Sequence, residues 1–401
     1  MLRYRLLLSL FAAVVLGRAA LRRDWDGMRA RLGHGRANPG AHVWLHAASN
    51  GELASAKPVI EALCAARPDM KLLVTCNSES GVALAQSWGL CARLAPLDLA
   101  RVSKRFLRRW NVRSHITMES ELWPHRLLNC PGPVMVLGGR LNEGTAKGWR
   151  LFGGLHTRVL HRVAFLSAQD PDSRERFVAA GLPKAALGPV VDLKALYTPP
   201  EQHDPELEAE FARASTWLAA STHEGEDETV LAAHAEARRQ EPGLRLILAP
   251  RHPRRAEQIA RLAAAQGLSC ARRSLGETPR GADVYLADTL GEMALFYRLA
   301  GRVFVAGTLT DRGGHTPYEP AAFGAALIHG PDVRNFRPPF ALLDAAGAAL
   351  PVEDAAGLAA ALLTLGGDAA QQRAGAAART LLEPEASAAE LVKDLTQHMD
   401  A

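Results

Sequence analysis

The sequence is poor in the residues that build covalent frames and metal centres. Its 401 residues include five cysteines, Cys64, Cys76, Cys91, Cys130 and Cys270, scattered and never spaced Cys-x-x-Cys. That pattern excludes a disulfide framework and a thiolate zinc site, and points to reduced thiols of a cytosolic compartment, mostly as small core residues. There is no His-Glu-x-x-His, and Asp170-Pro-Asp172 reads as a helix start, so no metal is expected. A Walker loop, a Gly-x-Gly-x-x-Gly fingerprint and a nucleophile elbow are also missing. A nucleic-acid groove would want basic residues interleaved with aromatics, and the basic excess here is loaded at one end instead.

What charge there is leans positive and sits early. The formal net charge is +5, with Arg3, Arg5, Arg18, Arg22, Arg23, Arg29, Arg31 and Arg36 near the N-terminus. Such end-loading suits an anionic membrane surface. Between these arginines lies an apolar stretch, Leu6 to Gly17, of 12 residues. A spanning helix needs roughly 20. No small-x-small cleavage site precedes the following charges, so a retained segment in the cytoplasmic leaflet is expected rather than a removed signal.

From residue 41 the chain alternates short apolar runs with helical periodicity. "HVWLHA", "KLLVTC", "RSHITM" and "PVMVLG" read as strands, and "SNGELASAKPVIEALCAARP" and "SGVALAQSWG" as helices. The pattern breaks at "LYTPPEQHDPE", residues 196–206, and restarts with "TWLAAST", "LRLILAP", "ADVYLAD", "RVFVAGT" and "AALIHG". Apolar runs alternating with helices predict an α/β fold of two doubly wound parallel sheets, with ligand in a cleft at the carboxyl ends of their strands. The expected divisions are an N-terminal membrane-associated segment over 1–37, a first domain over 38–196 and a second over 197–401.

Four strand ends share the pattern Ser/Thr-x-x-Glu: Ser49 to Glu52, Ser221 to Glu224, Thr289 to Glu292 and Thr316 to Glu319. Each is a capping box by sequence, and Pro317 suits a first helical position. Their shared address and the adjacent glycines also make them candidate phosphate sites, because helix N-termini present free amides and glycine admits close approach. "GGHTPYEP", with Gly313, Gly314, His315 and Glu319, is the most specific. "APRHPRR", with Arg251, His252 and Pro253, offers fixed positive charge at a strand end. In "MESELWPH", Glu119 lies at the end of a strand and Glu121 just before Pro124; Glu119 reads as a site residue and Glu121 as a helix-start acid.

These residues together resemble one family. "HAASNGE", "MESELWP", "STHEGE", "PRHP", "DTLGEMALFY", "GGHTPYEPAAFG" and "GPDVRNF" are similar, in order over about residues 40 to 340, to glycosyltransferase family 30, the 3-deoxy-D-manno-octulosonic acid (Kdo) transferases. The resemblance implies a GT-B fold, two Rossmann-like domains facing a cleft. It implies a metal-independent, inverting transfer of Kdo from CMP-Kdo to a lipid A precursor, at the cytoplasmic face of the inner membrane, without a resident cofactor. Domain 38–196 would bind acceptor and domain 197–401 the CMP-sugar.

Carried over by residue, the resemblance makes Glu52 the general base and Glu119 essential near the substrates. Arg251, Gly291, Glu292 and Glu319 would hold CMP, the last on its ribose, with His252, Pro253, Gly313, Gly314 and His315 in the same donor site. Ser49, Gly51, Arg140, Ser221 and His223 are candidates to position substrate. A helix N-terminus is expected to lower the pKa of Glu52 and so weaken it as a base.

The chain also departs from the family pattern. Asn50 replaces an aliphatic residue, Thr316 an asparagine, and "GGRLNEG" and "GPVVDL" stand where other residues are usual. A paralogous GT-B transferase with another acid sugar or acceptor, and an inactive lipid-binding relative, are the two further readings.

Overall fold

The computed structural model describes residues 2–35 and 38–400, so Arg36 and the end of the expected N-terminal segment lie outside the described residues. The chain forms two compact units, Met1–Leu196 with Pro384–Ala401, and Tyr197–Glu383. The first contains strands β1 (His42–His46), β2 (Lys71–Cys76), β3 (Cys91–Leu94), β4 (Val112–Met118), β5 (Val134–Gly139), β6 (Val163–Ala168) and β7 (Leu187–Val190). The second contains β8 (Thr216–Thr222), β9 (Arg245–Pro250), β10 (Cys270–Arg272), β11 (Val284–Leu286), β12 (Arg302–Val305), β13 (Ala326–His329) and β14 (Ala349–Pro351).

Each unit has one seven-stranded sheet, ordered β3-β2-β1-β4-β5-β6-β7 in the first and β10-β11-β9-β8-β12-β13-β14 in the second. The pairings along both sheets are parallel. Parallel strands carry helices on both faces, which is why "HVWLH" is apolar without alternation and buried at every position. Its alternate side chains nevertheless serve different layers. Val43 and Leu45 join the core on one face, and Trp44 joins the core on the other with Phe106 and Trp110.

Chain order reverses direction between β1 and β4 in the first sheet and between β8 and β12 in the second, where β11 also inserts between β9 and edge strand β10. Loops leaving adjacent strands there diverge to opposite faces and open a crevice, so these two points are where ligand sites are expected.

All nine strands read from the sequence are present, and five were missed. β3, β7, β10 and β14 hold three or four residues, sit at or next to sheet edges, and lack a long apolar run. β6, "VAFLSA", did carry one.

The second expected division needs correction. Residues 384–400 return to the first unit, where helix Ala388–Asp400 lays Leu391, Val392 and Leu395 into the core that holds Val59 and Leu63. An amphipathic helix must cover its apolar stripe, and this one does so beside helix Lys57–Ala66, fastened by Arg67 to Asp400 at 2.9 Å and by Glu385 to the amide of Val190 at 2.7 Å.

The N-terminal helix is also longer than its apolar stretch suggests. It runs Leu2–Leu21, 20 residues, long and apolar enough to cross a bilayer by length and composition. Leu8 and Ala12 are buried against the first unit, while Leu2, Leu6, Leu7, Leu10, Phe11, Val14 and Leu21 are exposed. The Tyr4 hydroxyl donates to Asp98 at 2.6 Å and pins the start of the helix.

Candidate active site

Glu52 and Glu119 both lie where the first sheet switches direction, beyond the carboxyl ends of β1 and β4. Ser49 caps helix Asn50–Ser55, its Oγ accepting from the Glu52 amide at 3.2 Å. Glu52 reaches back, Oε2 accepting from the Ala48 amide at 2.9 Å and Oε1 from Ser49 Oγ at 3.1 Å. This is a variant of the capping box, with the carboxylate on the amide of Ala48, one residue before the cap, and it fixes the glutamate in one pose.

The expected low pKa is not found. Burial, aided by the charges of Glu119 and Glu121, pushes Glu52 up to about 7 against the hydrogen bonds from Ala48 and Ser49. Desolvation outweighs the helix terminus, and the result is a carboxylate whose basicity matches neutral pH. Gly51 has an ordinary φ, and an added Cβ would meet only Ser49 Oγ at 3.9 Å, so the space beside it is open. Asn50 Oδ1 accepts from Ser80 Oγ at 3.2 Å, tying this helix to helix Glu79–Ser87 after β2.

Glu119 does not continue β4. Its φ of +48° turns the backbone out of the strand, a conformation costly for a side chain with a Cβ. Its amide donates to Leu137 at 3.0 Å and its carbonyl accepts from Arg140 at 3.3 Å, so neighbouring β5 enforces the turn. Burial raises its pKa, and the charges of Lys194 and Arg140 oppose this. Arg140 thus sits within electrostatic reach of Glu119, and the side chain itself is exposed.

Glu121 is no helix-start acid. Its Oε2 accepts from His46 Nε2 at 3.1 Å and from Trp123 Nε1 at 2.5 Å. Burial would raise its pKa, but those hydrogen bonds and the charge of Arg126 bring it down to about 2. His46 is itself held neutral by burial. With Nε2–H given to Glu121, His46 Nδ1 accepts from the Thr75 hydroxyl at 2.9 Å, which in turn accepts from Trp44 Nε1 at 2.8 Å.

In the second unit the switch point gathers Ser221, His223 and His315. His223 and His315 stack with ring centroids 5.1 Å apart and share a hydrogen bond between their Nε2 atoms at 2.9 Å. His315 also bonds the backbone of Ser221, whose φ of +65° makes a bulge within β8 between Ala220 and Thr222. Burial lowers both histidines, His315 to about 4, so the pair is neutral at pH 7. His252 meets His223 edge-on at 6.3 Å, and the charge of Arg251 reaches both rings of the pair. Arg251 is exposed, and Pro253 opens a single 3-10 turn.

Three of the four sequence capping boxes are not caps. Glu224 is exposed and helix Asp227–Gln240 starts three residues later. Glu292 is itself the N-cap of helix Met293–Leu299, and its carboxylate binds Arg273 through two nitrogens at 2.7 and 3.3 Å, which lowers its pKa. Pro317 is an N-cap rather than a first helical residue. Gly291, beside Glu292, has a φ of +84° and no protein atom where a Cβ would stand. Glu319 is raised by burial, near Tyr197 and Tyr297.

Gly313 and Gly314 serve the backbone first. Both have φ near +80°, and a Cβ on Gly313 would lie 2.5 Å from Asn335 Nδ2. Their amides, and that of His315, are engaged by Asp332, Gly307 and Ala306. These amides therefore hold the loop together rather than offering themselves to a phosphate.

The residue missed by the sequence reading is Glu226. It is fully buried and accepts four backbone N–H groups, from His223, Gly307, Thr308 and Leu309, at 2.8 to 3.0 Å. One carboxylate thus ties the loop after β8 to the loop after β12, and places His223 and His315 together. The only sequence signal was that it is the second of three acids in "HEGED".

The chain is similar in sequence to proteins of known name. The family described as 3-deoxy-D-manno-octulosonic-acid transferase (kdotransferase) matches residues 26–196. The chain is 31% identical to the probable 3-deoxy-D-manno-octulosonic acid transferase, mitochondrial, of Arabidopsis thaliana, over 76% of this chain and 73% of that one. It is 30% identical to 3-deoxy-D-manno-octulosonic acid transferase of Haemophilus influenzae, over 78% and 75%. The chain belongs to the Kdo transferase family. In fold it is similar to Acinetobacter baumannii MurG, with a TM-score of 0.56 and 13% identity over 90% of this chain and 99% of that one, a likeness of fold alone. Two doubly wound units in one chain are the GT-B plan.

Proposed function

We propose that this member of the Kdo transferase family moves Kdo from CMP-Kdo to a hydroxyl of a lipid A precursor, with inversion and without a metal. The observation that carries the reading is Glu52, locked in one pose at the switch point of the first sheet with a pKa of about 7. Its carboxylate takes the proton of the acceptor hydroxyl as the oxygen attacks the anomeric carbon of Kdo. The bond from that carbon to the phosphate oxygen breaks on the opposite face, and its electron pair leaves with CMP.

The second unit is assigned to the donor. Arg251 and the neutral His223–His315 pair stand at its switch point, and a monophosphate leaving group develops less charge than a diphosphate, within reach of an arginine and polar rings. Gly291, with open space beside it, and Glu319 complete the proposed CMP site. Glu119, Arg140, Ser49 and Gly51 are assigned to acceptor positioning. The exposed apolar face of helix Leu2–Leu21, with Arg3, Arg5 and Arg18, supports association with the cytoplasmic face of the inner membrane.

Purified protein given CMP-Kdo and tetraacylated lipid A precursor is expected to yield a Kdo-lipid and CMP, with EDTA present throughout. Turnover that needs added magnesium would remove the metal-free mechanism. Turnover only with another nucleotide-linked acid sugar or another acceptor would favour the paralogue reading, and none at all with any donor the inactive one.

A further inference from the structure

Two cavities in the first unit are lined by Trp123, and neither is used by the transfer chemistry above. One, about 220 Å³, lies under the N-terminal helix and is lined by Leu8, Phe11, Arg31, Asp98, Trp123 and Arg126, among others. The other, about 210 Å³, shares Trp123 as a wall and is lined by Tyr4, Leu122, Trp149, Phe152 and Leu155, among others. The first holds charged side chains and the second is mainly apolar and aromatic.

Arg126 is the anomaly. It is 4% exposed, on helix Pro124–Asn129, and its Nη2 donates to the Pro96 carbonyl at 2.6 Å. Its Nε and Nη1 have no hydrogen-bond partner among the described residues. The charges of Asp98 and Glu121 support the guanidinium, but both carboxylates give their hydrogen bonds to other groups. Asp98 accepts the amides of His125 and Arg126 and the Tyr4 hydroxyl, and Glu121 accepts His46 and Trp123. The rings of Trp44 and Trp123 lie 5.8 and 5.4 Å from the guanidinium carbon, which supports its charge but satisfies neither donor. A second guanidinium, Arg31, lines the same cavity, its Nη2 on the Asn77 carbonyl at 2.8 Å, and the two like charges repel. Buried donors without acceptors are costly, and two facing arginines favour a dianion between them.

We propose that this cavity binds the phosphomonoester of an amphiphile, hydrogen-bonded by Arg126 and Arg31, with an apolar part of the same molecule in the aromatic cavity that shares Trp123. The charged and apolar cavities sit side by side beneath a helix whose outer face is apolar, the arrangement a lipid phosphate entering from a bilayer surface would meet. The phosphate comes either from the acceptor or from a membrane lipid. Binding does not depend on transfer, so it is tested without donor.

The full chain in neutral detergent is titrated calorimetrically with dihexanoyl phosphatidic acid, dihexanoyl phosphatidylcholine and inorganic phosphate. Phosphatidic acid is expected to bind at least tenfold more tightly than either of the others, and at least tenfold more weakly to Arg126→Leu. Should that variant fail to fold, Arg31→Gln at the same cavity is expected to lose at least threefold. Equal binding of the two lipids, or unchanged affinity in the folded variants, would overturn the proposal. Displacement of phosphatidic acid by lipid A precursor assigns the site to the acceptor; undisturbed binding at saturating precursor assigns it to a membrane lipid.

Discussion

His46 Nε2 donates to the carboxylate of Glu121 at 3.1 Å, joining β1 to the turn after β4. That bond, with the one from Trp123, brings Glu121 down to about 2, while burial lifts nearby Glu52 to about 7 against its bonds from Ala48 and Ser49. Carboxylates in one region are thereby split into a fixed anion and a proton acceptor, a division set by environment rather than residue type.

Replacing Glu52 with Gln keeps the side chain's reach and a hydrogen-bond acceptor for the Ala48 amide. We expect kcat to fall by roughly 10²- to 10⁴-fold with the acceptor KM little changed. Steady-state kinetics with CMP-Kdo checks this, and a fall below tenfold would remove Glu52 as the base.

The rate should rise with pH through about 7 and then level, as Glu52 loses its proton. A kcat profile measured from pH 5 to 9 tests it, and the rising limb should vanish in the residual activity of Glu52→Gln. The stability effect has the opposite sense. A carboxyl raised from 4.5 to about 7 by folding stabilises the protein below pH 4.5 and loses that contribution as pH rises through 7.

Glu121 behaves in reverse. Its pKa falls on folding, from 4.5 to about 2, so its contribution is present above pH 4.5 and lost as pH falls toward 2. Glu121→Gln should therefore be less stable than the parent at pH 7, and the gap should narrow on acidification below 4.5. Urea midpoints at pH 7 and 3.5 give the comparison; a constant gap would contradict it.

Glu226→Gln puts an amide NH₂ where two of four backbone N–H groups now find an oxygen. Orphaning buried donors costs about 3 kcal/mol in total by the usual range, read as a lower urea midpoint. The histidine pair should separate as well, so the donor KM is expected to rise more than the acceptor KM. Equal stability and kinetics would show that the two loops hold together without this carboxylate.

Gly313→Ala must adopt φ near +81° and displace Asn335 from a contact of 2.5 Å. A loss of about 1–3 kcal/mol is expected from the strained conformation. Differential scanning calorimetry would show it as a lower transition temperature, and Gly148→Ala, on an exposed helix with nothing within 4 Å, should not share it.

Much of this protein follows from local sequence. Nine apolar runs identified their strands, because a parallel strand covered on both faces must be apolar throughout. The break at residues 196–206 contains the division between the units, because prolines and charges cannot continue either core. The Ser49 box formed in a variant of its pattern, since both its partners lie within four residues. What sequence could not decide depends on groups far apart in the chain. The other three boxes lost their acids or their helix starts to Arg273, to a later start at Asp227, and to Pro317 as cap. Helix Ala388–Asp400 crossed back to the first unit because its apolar stripe fits there. The pKa of Glu52 was misjudged for the same reason: a helix terminus is visible in sequence, but the burial that overrides it is made by the tertiary fold.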